Sequence, residues 1–201
     1  SNSNERRADC ELYQGLDGGA QLKVAARFYQ AAYDAGEDSR LRLAFACKRC
    51  IAMALSGNVE TARQELNDEK VSKREVIGED AERADNLRRL AYAVLALKEE
   101  GTSAKQDPLR AFLGSLQRTS DSDRRENLEM QLLAAELLLR SGLESKAGTA
   151  TASDASLLSR PLLPLRSNVA LLPFLRRHYD LLIEAMGEEN PDRTARYIQI
   201  L

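Results

Sequence analysis

Residues 39–66 read SRLRLAFACKRCIAMALSGNVETARQEL, and this stretch decides the fold. Its first part, residues 39–56, is mostly apolar and predicts a helix that is buried on most sides. Gly57 ends this helix, because glycine adopts the left-handed conformation of a helix C-terminus without steric cost. Asn58 supplies an N-cap, and Glu60 an acidic first turn, for a second helix over residues 58–69. The stretch therefore predicts two helices joined by a tight turn.

The rest of the chain has the composition of a helical protein. Ala, Leu, Arg and Glu dominate, and the first proline is Pro108. These residue types are strong helix formers, and no stretch alternates apolar and polar residues long enough to indicate a strand. The sequence therefore predicts an all-α fold, with a loop over residues 148–156. Helices are predicted over residues 8–16, 20–35, 39–56, 58–69, 79–100, 107–118, 121–141, 167–186 and 191–200, with a further helix or helical turn after Gly142.

Five glycines divide this helical pattern at regular intervals. Gly19, Gly57, Gly101, Gly142 and Gly187 each follow or adjoin a predicted helix, at separations of 38, 44, 41 and 45 residues. We interpret them as helix stops. A spacing of about 40 residues between such stops is typical of repeated helical hairpins.

The hairpin around Gly57 resembles the tetratricopeptide repeat. In that family a small Ala follows the turn glycine by five residues and a large apolar residue comes four later, as Ala62 and Leu66 do here. Upstream, Ala25, Tyr29 and Ala32 match the small, large and small packing residues that this family has in the second helix of a hairpin. The resemblance implies a right-handed superhelical stack of antiparallel helical hairpins, with about 8–10 helices. It favours one helical-repeat domain over residues 1–201, matching best over 20–145, with divergent capping helices over 155–201. A divergent helical repeat or a plain α-helical bundle stays the alternative.

The resemblance also implies where a partner would bind. In this family the first helix of each hairpin lines a concave groove that receives a peptide or a partner helix. The groove positions, counted back from each turn glycine, are Lys48, Ile51, Arg88, Tyr92, Leu95, Glu129, Leu133, Glu136, Arg177 and His178. We therefore expect a non-enzymatic protein–protein interaction scaffold or adaptor. The alternative is a ligand-sensing regulatory α-helical domain of a larger protein, with a pocket between helices lined by Tyr29, Tyr33 and Phe45.

Few residues are available for chemistry. The chain has one His, His178, three Cys and no Trp, and it carries no phosphate-loop, zinc-protease or serine-hydrolase motif. We accordingly predict no catalytic residue, no metal site and no cofactor. Cys47 and Cys50 lie three residues apart in a predicted helix, where they suit a small apolar core pair; a redox pair or half of a metal site are the alternatives. Residues 155–179 contain Arg but no acidic residue, which suits a capping helix or a docking surface for an acidic partner.

The charge balance bears on partners and location. Lys and Arg total 29 and Asp and Glu total 31, giving a net charge of −2. A nucleic-acid partner is not expected, because such domains usually carry a basic excess. No run approaches 18 apolar residues, so direct membrane insertion is not expected. We expect a cytoplasmic protein with a protein or peptide partner. Formation of homo-oligomers remains an alternative. Because Ser1-Asn2 resembles the remnant of a cleaved tag, an exported or membrane-tethered domain also remains an alternative.

Overall fold

The structure is a computed structural model that describes residues 3–36, 39–68, 71, 81–99, 106–119, 125–145, 176–177 and 180. Within these residues every regular element is a helix and no strand is present, which confirms the all-α prediction. The helices are α1 (Ser3–Gly15), α2 (Ala20–Ala35), α3 (Ser39–Leu55), α4 (Val59–Asn67), α5 (Ala81–Lys98), α6 (Asp107–Leu116) and α7 (Arg125–Ser145).

Contacts between backbones group the chain into two compact units. The first unit is Ser1–Phe112 and the second is Leu113–Leu201, so the division falls within α6. In the first unit α1 packs on α2, α2 on α3, α3 on both α4 and α5, and α4 on α5. The single helical-repeat domain over residues 1–201 stays a prediction.

The core of the first unit is built around α3. Phe45 and Ile51 of α3 are buried with Tyr29 of α2, Leu66 of α4 and Leu90 of α5. Burial around most of α3 agrees with its nearly continuous apolar sequence, because a helix that is apolar on all sides must be covered on all sides.

Helices α1 and α2 approach each other closely at Gly15. A Cβ atom at this position would lie 2.8 Å from both Cγ and the backbone nitrogen of Leu22. Only a residue without a side chain allows this approach. Further along α2, Ala25 and Ala32 are fully buried, and small side chains of this kind let neighbouring helices pack tightly.

Gly57 ends α3 as the sequence predicts. Its φ angle is +91°, and the N–H of Gly57 donates to the carbonyl of Ala54 at 3.2 Å. The N–H of Asn58 donates to the carbonyl of Met53 at 2.9 Å. These two bonds satisfy carbonyls that the helix end would otherwise leave without partners, so α4 can begin at Val59.

The other glycines do not all share this role. The prediction that a helix stops at Gly142 is wrong, because α7 continues to Ser145. Leu143 and Glu144 are good helix formers, and they extend the helix past a glycine that costs only about 1 kcal/mol in its interior. Gly19 adopts a right-handed conformation, with φ −65°, directly before α2, so it is not a left-handed helix stop. Gly101 and Gly187 lie outside the described residues.

Most predicted helix boundaries agree with the structure within a few residues. The largest difference is in α1, which begins at Ser3 rather than at residue 8. The loop predicted over 148–156 and the helices predicted over 167–186 and 191–200 fall almost wholly outside the described residues. So do the capping helices expected over 155–201, of which only Arg176, Arg177 and Asp180 are described.

Candidate functional site

The predicted groove residues of α3 and α5 differ in exposure. Ile51 and Leu95 are buried in the core of the first unit. Lys48 and Arg88 are partly buried and bound to other groups of the same chain. Tyr92 is 41% exposed and is the one large hydrophobic side chain classed as exposed among the residues that the structure describes. Of this part of the predicted groove, Tyr92 therefore offers the most apolar surface to a partner.

Tyr92 is held against the C-terminal end of α4. Its hydroxyl oxygen lies 3.3 Å from the carbonyl oxygen of Leu66 and 3.3 Å from Oδ1 of Asn67. The carbonyl of Leu66 belongs to the last turn of α4, where carbonyl groups lack partners within the helix. The hydroxyl is thus anchored at one end while the ring remains accessible.

Arg88 lies one helical turn before Tyr92 on α5. Its Nη2 atom is 2.6 Å from Oδ1 of Asp85, and its Nη1 atom donates to the carbonyl of Val71 at 3.3 Å. Residues four apart on a helix are neighbours on its surface. Arg88 and Tyr92 therefore lie next to each other on one patch of the α5 surface, and Asp85 holds the guanidinium group of Arg88.

The described groove residues of the second unit belong mainly to α7. Leu133 and Glu136 are buried, whereas Glu129 is partly exposed. Oε1 of Glu136 lies 3.0 Å from Nη2 of Arg140 and 2.8 Å from Nη2 of Arg177. Arg177 and Glu136 therefore form an ion pair within the second unit, although they lie 41 positions apart in the sequence. His178 lies outside the described residues.

A cluster of buried and partly buried charges joins four helices of the first unit. Nζ of Lys48 on α3 lies 2.9 Å from Oε1 of Glu5 and 2.9 Å from Oδ1 of Asp9, both on α1. Arg83 of α5 places Nη2 3.1 Å from the same oxygen of Glu5. Tyr29 of α2 donates its hydroxyl to Oδ1 of Asp9 at 2.7 Å, and Nζ of Lys48 lies 5.7 Å from the centre of the Tyr29 ring.

These contacts involve Lys48, the residue predicted to supply a positive charge to the groove. Its side chain is only 13% exposed, and two carboxylates already neutralise its charge. Sequence reasoning did not identify Glu5, Asp9 or Arg83. The available signal was the spacing of Glu5 and Asp9, which places two carboxylates on one face of a helix, but the partner that faces them is defined only by packing.

Opposing effects determine the charge states in the cluster. Burial raises the pKa of Glu5, but the charges and hydrogen bonds of Lys48 and Arg83 lower it, and the pKa lies below its ordinary value of 4.5. Burial lowers the pKa of Lys48, but Asp9 and Glu5 raise it above 10.5. Burial and the neighbouring Asp9 hold the pKa of Tyr29 well above 10. At neutral pH the cluster consequently holds ionised Glu5 and Lys48 beside a neutral phenol.

The two cysteines of α3 are free and buried. Burial raises the pKa of Cys47 and of Cys50 to about 12. A thiol in this state is a weak nucleophile, because the thiolate is the reactive form. The arrangement agrees with a small apolar core pair. Among the described residues, no group of three or more His, Cys, Asp or Glu side chains is placed to hold a metal ion.

The residues of the alternative ligand pocket are mostly part of the core. Tyr29 and Phe45 are buried, and the hydroxyl of Tyr29 is bound to Asp9. Tyr33 is partly exposed, and the guanidinium carbon of Arg42 lies 5.9 Å from the centre of its ring. Tyr29 and Phe45 therefore serve the packing of the core.

Two further findings bear on function. Within the described part of the chain, no helix is both long and apolar enough to span a bilayer. Comparison with known protein families, with functionally characterised proteins and with solved structures finds no match to this chain.

Proposed function

We propose that this protein is a non-enzymatic interaction module that binds a peptide or helix of another protein on the surface formed by Arg88 and Tyr92. The observation that carries the proposal is the exposure of Tyr92 together with the anchoring of its hydroxyl to the end of α4. An exposed aromatic side chain of fixed orientation loses little conformational freedom on binding, which favours affinity.

The residue types of this patch support the proposal. Tyr and Arg are enriched among the few residues that carry most of the binding energy at protein interfaces. Arg88 also has its guanidinium group oriented by Asp85, so little ordering is left for a partner to impose. Both residues belong to the set that the tetratricopeptide resemblance implies for the groove.

The order of helix packing supports a repeat-like scaffold as the setting of this surface. From α1 to α4 each helix packs on the next helix along the chain, and α3 packs additionally on α5. Packing between neighbours in sequence is the organisation of solenoid proteins, which use their extended faces for binding. The right-handed superhelical stack remains part of the proposal.

The test selects peptides from a phage-displayed library of random sequences against the immobilised full chain. Enriched peptides are then measured by isothermal titration calorimetry against the unmodified protein, Tyr92→Ala and Arg88→Glu. Truncation of an aromatic hot spot commonly costs at least about 1.4 kcal/mol, so Tyr92→Ala should weaken binding by about tenfold or more. Gln64→Ala is the matched control, since Gln64 is exposed on the neighbouring helix α4.

Peptides that bind Tyr92→Ala and Arg88→Glu as tightly as the unmodified chain would contradict the proposal, because their binding surface would then lie away from Arg88 and Tyr92. Failure to enrich any peptide would argue against an interaction module that recognises peptides. Circular dichroism of each variant separates a binding defect from loss of helical structure.

A further inference from the structure

Helix α1 is attached to the first unit by both apolar packing and charged contacts. Its buried residues are Glu5, Ala8, Leu12, Tyr13 and Gly15, of which only Leu12 and Tyr13 are large hydrophobic side chains. One of the five is a carboxylate, which gains nothing from burial unless a partner neutralises it. The attachment of this helix therefore depends in part on the charged partners of Glu5.

Charged contacts add to this attachment: the guanidinium carbon of Arg7 lies 4.4 Å from the centre of the Phe28 ring on α2, and further contacts converge on Glu5 and Asp9. The carboxylate of Glu5 forms ion pairs with Lys48 of α3 and Arg83 of α5. The carboxylate of Asp9 forms an ion pair with Lys48 and accepts a hydrogen bond from the hydroxyl of Tyr29 on α2. All four contacts have partner distances between 2.7 and 3.1 Å. Glu5 and Asp9 thus connect α1 to three other helices at one place.

These contacts depend on one another. Lys48 is shared by Glu5 and Asp9, so moving either carboxylate away changes the environment of both. Separating one member of a buried charged network leaves the others without compensation, which disfavours partly opened states. The cluster should consequently be either closed or open as a whole.

The connection between α1 and α2 permits such opening. Residues 16–19 join the helices, and Gly18 and Gly19 are both exposed. A Cβ atom at either glycine would meet nothing within 4 Å, so no side chain packs against this segment there, and the N–H of Gly18 donates only to the carbonyl of Gly15 within the same turn, at 3.1 Å. Two adjacent glycines also give the backbone wide conformational freedom.

We propose that α1 is a detachable strap, fastened by Glu5 and Asp9 to α2, α3 and α5, that opens as a unit while those three helices stay folded. Opening uncovers Leu22, which contacts the backbone at Gly15, and Tyr29, which loses its bond to Asp9. Both side chains belong to α2 and are buried while α1 is attached. This inference does not depend on the surface around Tyr92.

The test is hydrogen–deuterium exchange of the full chain, followed by mass spectrometry. The double variant Glu5→Gln/Asp9→Asn keeps the shapes of both side chains and removes their charges. Because loss of a buried charged partner weakens an attachment strongly, amides of α1 should exchange on the order of a hundredfold faster, with α3 and α5 unchanged. Glu11→Gln is the matched control, since Glu11 lies on α1 outside the cluster and should leave exchange unchanged.

Two further exchange measurements test the attachment of α1. In the unmodified chain, α1 should already exchange at least about tenfold faster than α3, because local opening precedes global unfolding. In the variant Glu5→Gln/Asp9→Asn/Lys48→Met, which also removes the buried cation, α1 should again exchange faster than α3. Equal exchange of α1 and α3, unchanged exchange in the double variant, or failure of both multiple variants to fold would overturn the proposal.

Discussion

Nζ of Lys48 lies 2.9 Å from Oε1 of Glu5, a residue 43 positions earlier in the chain. The two side chains are 13% and 7% exposed, so water screens their interaction only weakly. An ion pair in this setting stabilises the fold only while both partners are charged. The stability of the first unit should therefore depend on the protonation state of Glu5.

Acid should weaken the protein through Glu5. The pKa of this carboxyl is lower in the folded chain than its ordinary value of 4.5. Its contribution is hence fully present above the unfolded pKa and is lost as pH falls through the folded pKa. Urea unfolding followed by circular dichroism at a series of pH values should give a free energy of unfolding that decreases below about pH 4.5.

The variant Glu5→Gln separates this effect from general acid denaturation. At neutral pH it should be less stable by about 2 kcal/mol, less than for a fully uncompensated charge because Asp9 still faces Lys48. The difference from the unmodified protein should shrink as pH falls, because protonated Glu5 is neutral, as Gln is. A difference that stays constant across the acid range would contradict the role assigned to Glu5.

Tyr29→Phe should destabilise the first unit by about 1–2 kcal/mol. The change removes the hydroxyl that donates to Asp9 at 2.7 Å and keeps the buried ring. Tyr33→Phe is the matched control at a partly exposed ring on the same helix, where we expect a change of about 0.5 kcal/mol or less. Equal urea midpoints for Tyr29→Phe and the unmodified protein would show that the bond contributes nothing to stability.

The three cysteines should react at different rates with a thiol reagent. Cys10 is exposed, whereas Cys47 and Cys50 are buried and have their pKa raised to about 12. In native conditions we expect one rapidly modified thiol, identified as Cys10 by mass spectrometry, and two that react only after denaturant is added. Rapid native modification of Cys47 or Cys50 would contradict their packing role and restore the redox hypothesis.

Gly57→Ala should destabilise the turn between α3 and α4 by about 1–2 kcal/mol. A Cβ atom at this position would meet nothing within 4 Å, so the cost arises from the backbone conformation, whose φ is +91°. Gly18→Ala is the matched control: it also has open space, but its φ is not in the left-handed range. Urea unfolding should show a change of about 0.5 kcal/mol or less for Gly18→Ala.

The local parts of the fold were predictable from sequence because their signals are local. The helices over 20–35 and 39–55, and the turn at Gly57, follow from apolar periodicity and from glycine conformation. The start of α1 was missed because its first turns are rich in charged residues and lack an apolar stripe. Gly142 was misassigned because a glycine within a helix and one at its end look alike in sequence.

The candidate sites were less predictable, since they depend on which helices meet. The tetratricopeptide resemblance implied Tyr92 as a groove residue, counted back from Gly101, and the structure adds its exposure and its anchoring to Leu66. Lys48 was placed in the groove on the same basis. Its actual partners, Glu5 and Asp9, lie on a helix far earlier in the chain, and no spacing within α3 indicates them.

The packing order has a consequence for the speed and sequence of folding. Helices α1 to α4 each contact the next helix in the chain, so most of the first unit assembles through short loop closures, which are fast. The bond between Arg83 and Glu5 joins residues 78 positions apart, the largest separation among the ion pairs described above. Because the entropic cost of loop closure rises with sequence separation, we expect this pair to form late in the folding of the first unit.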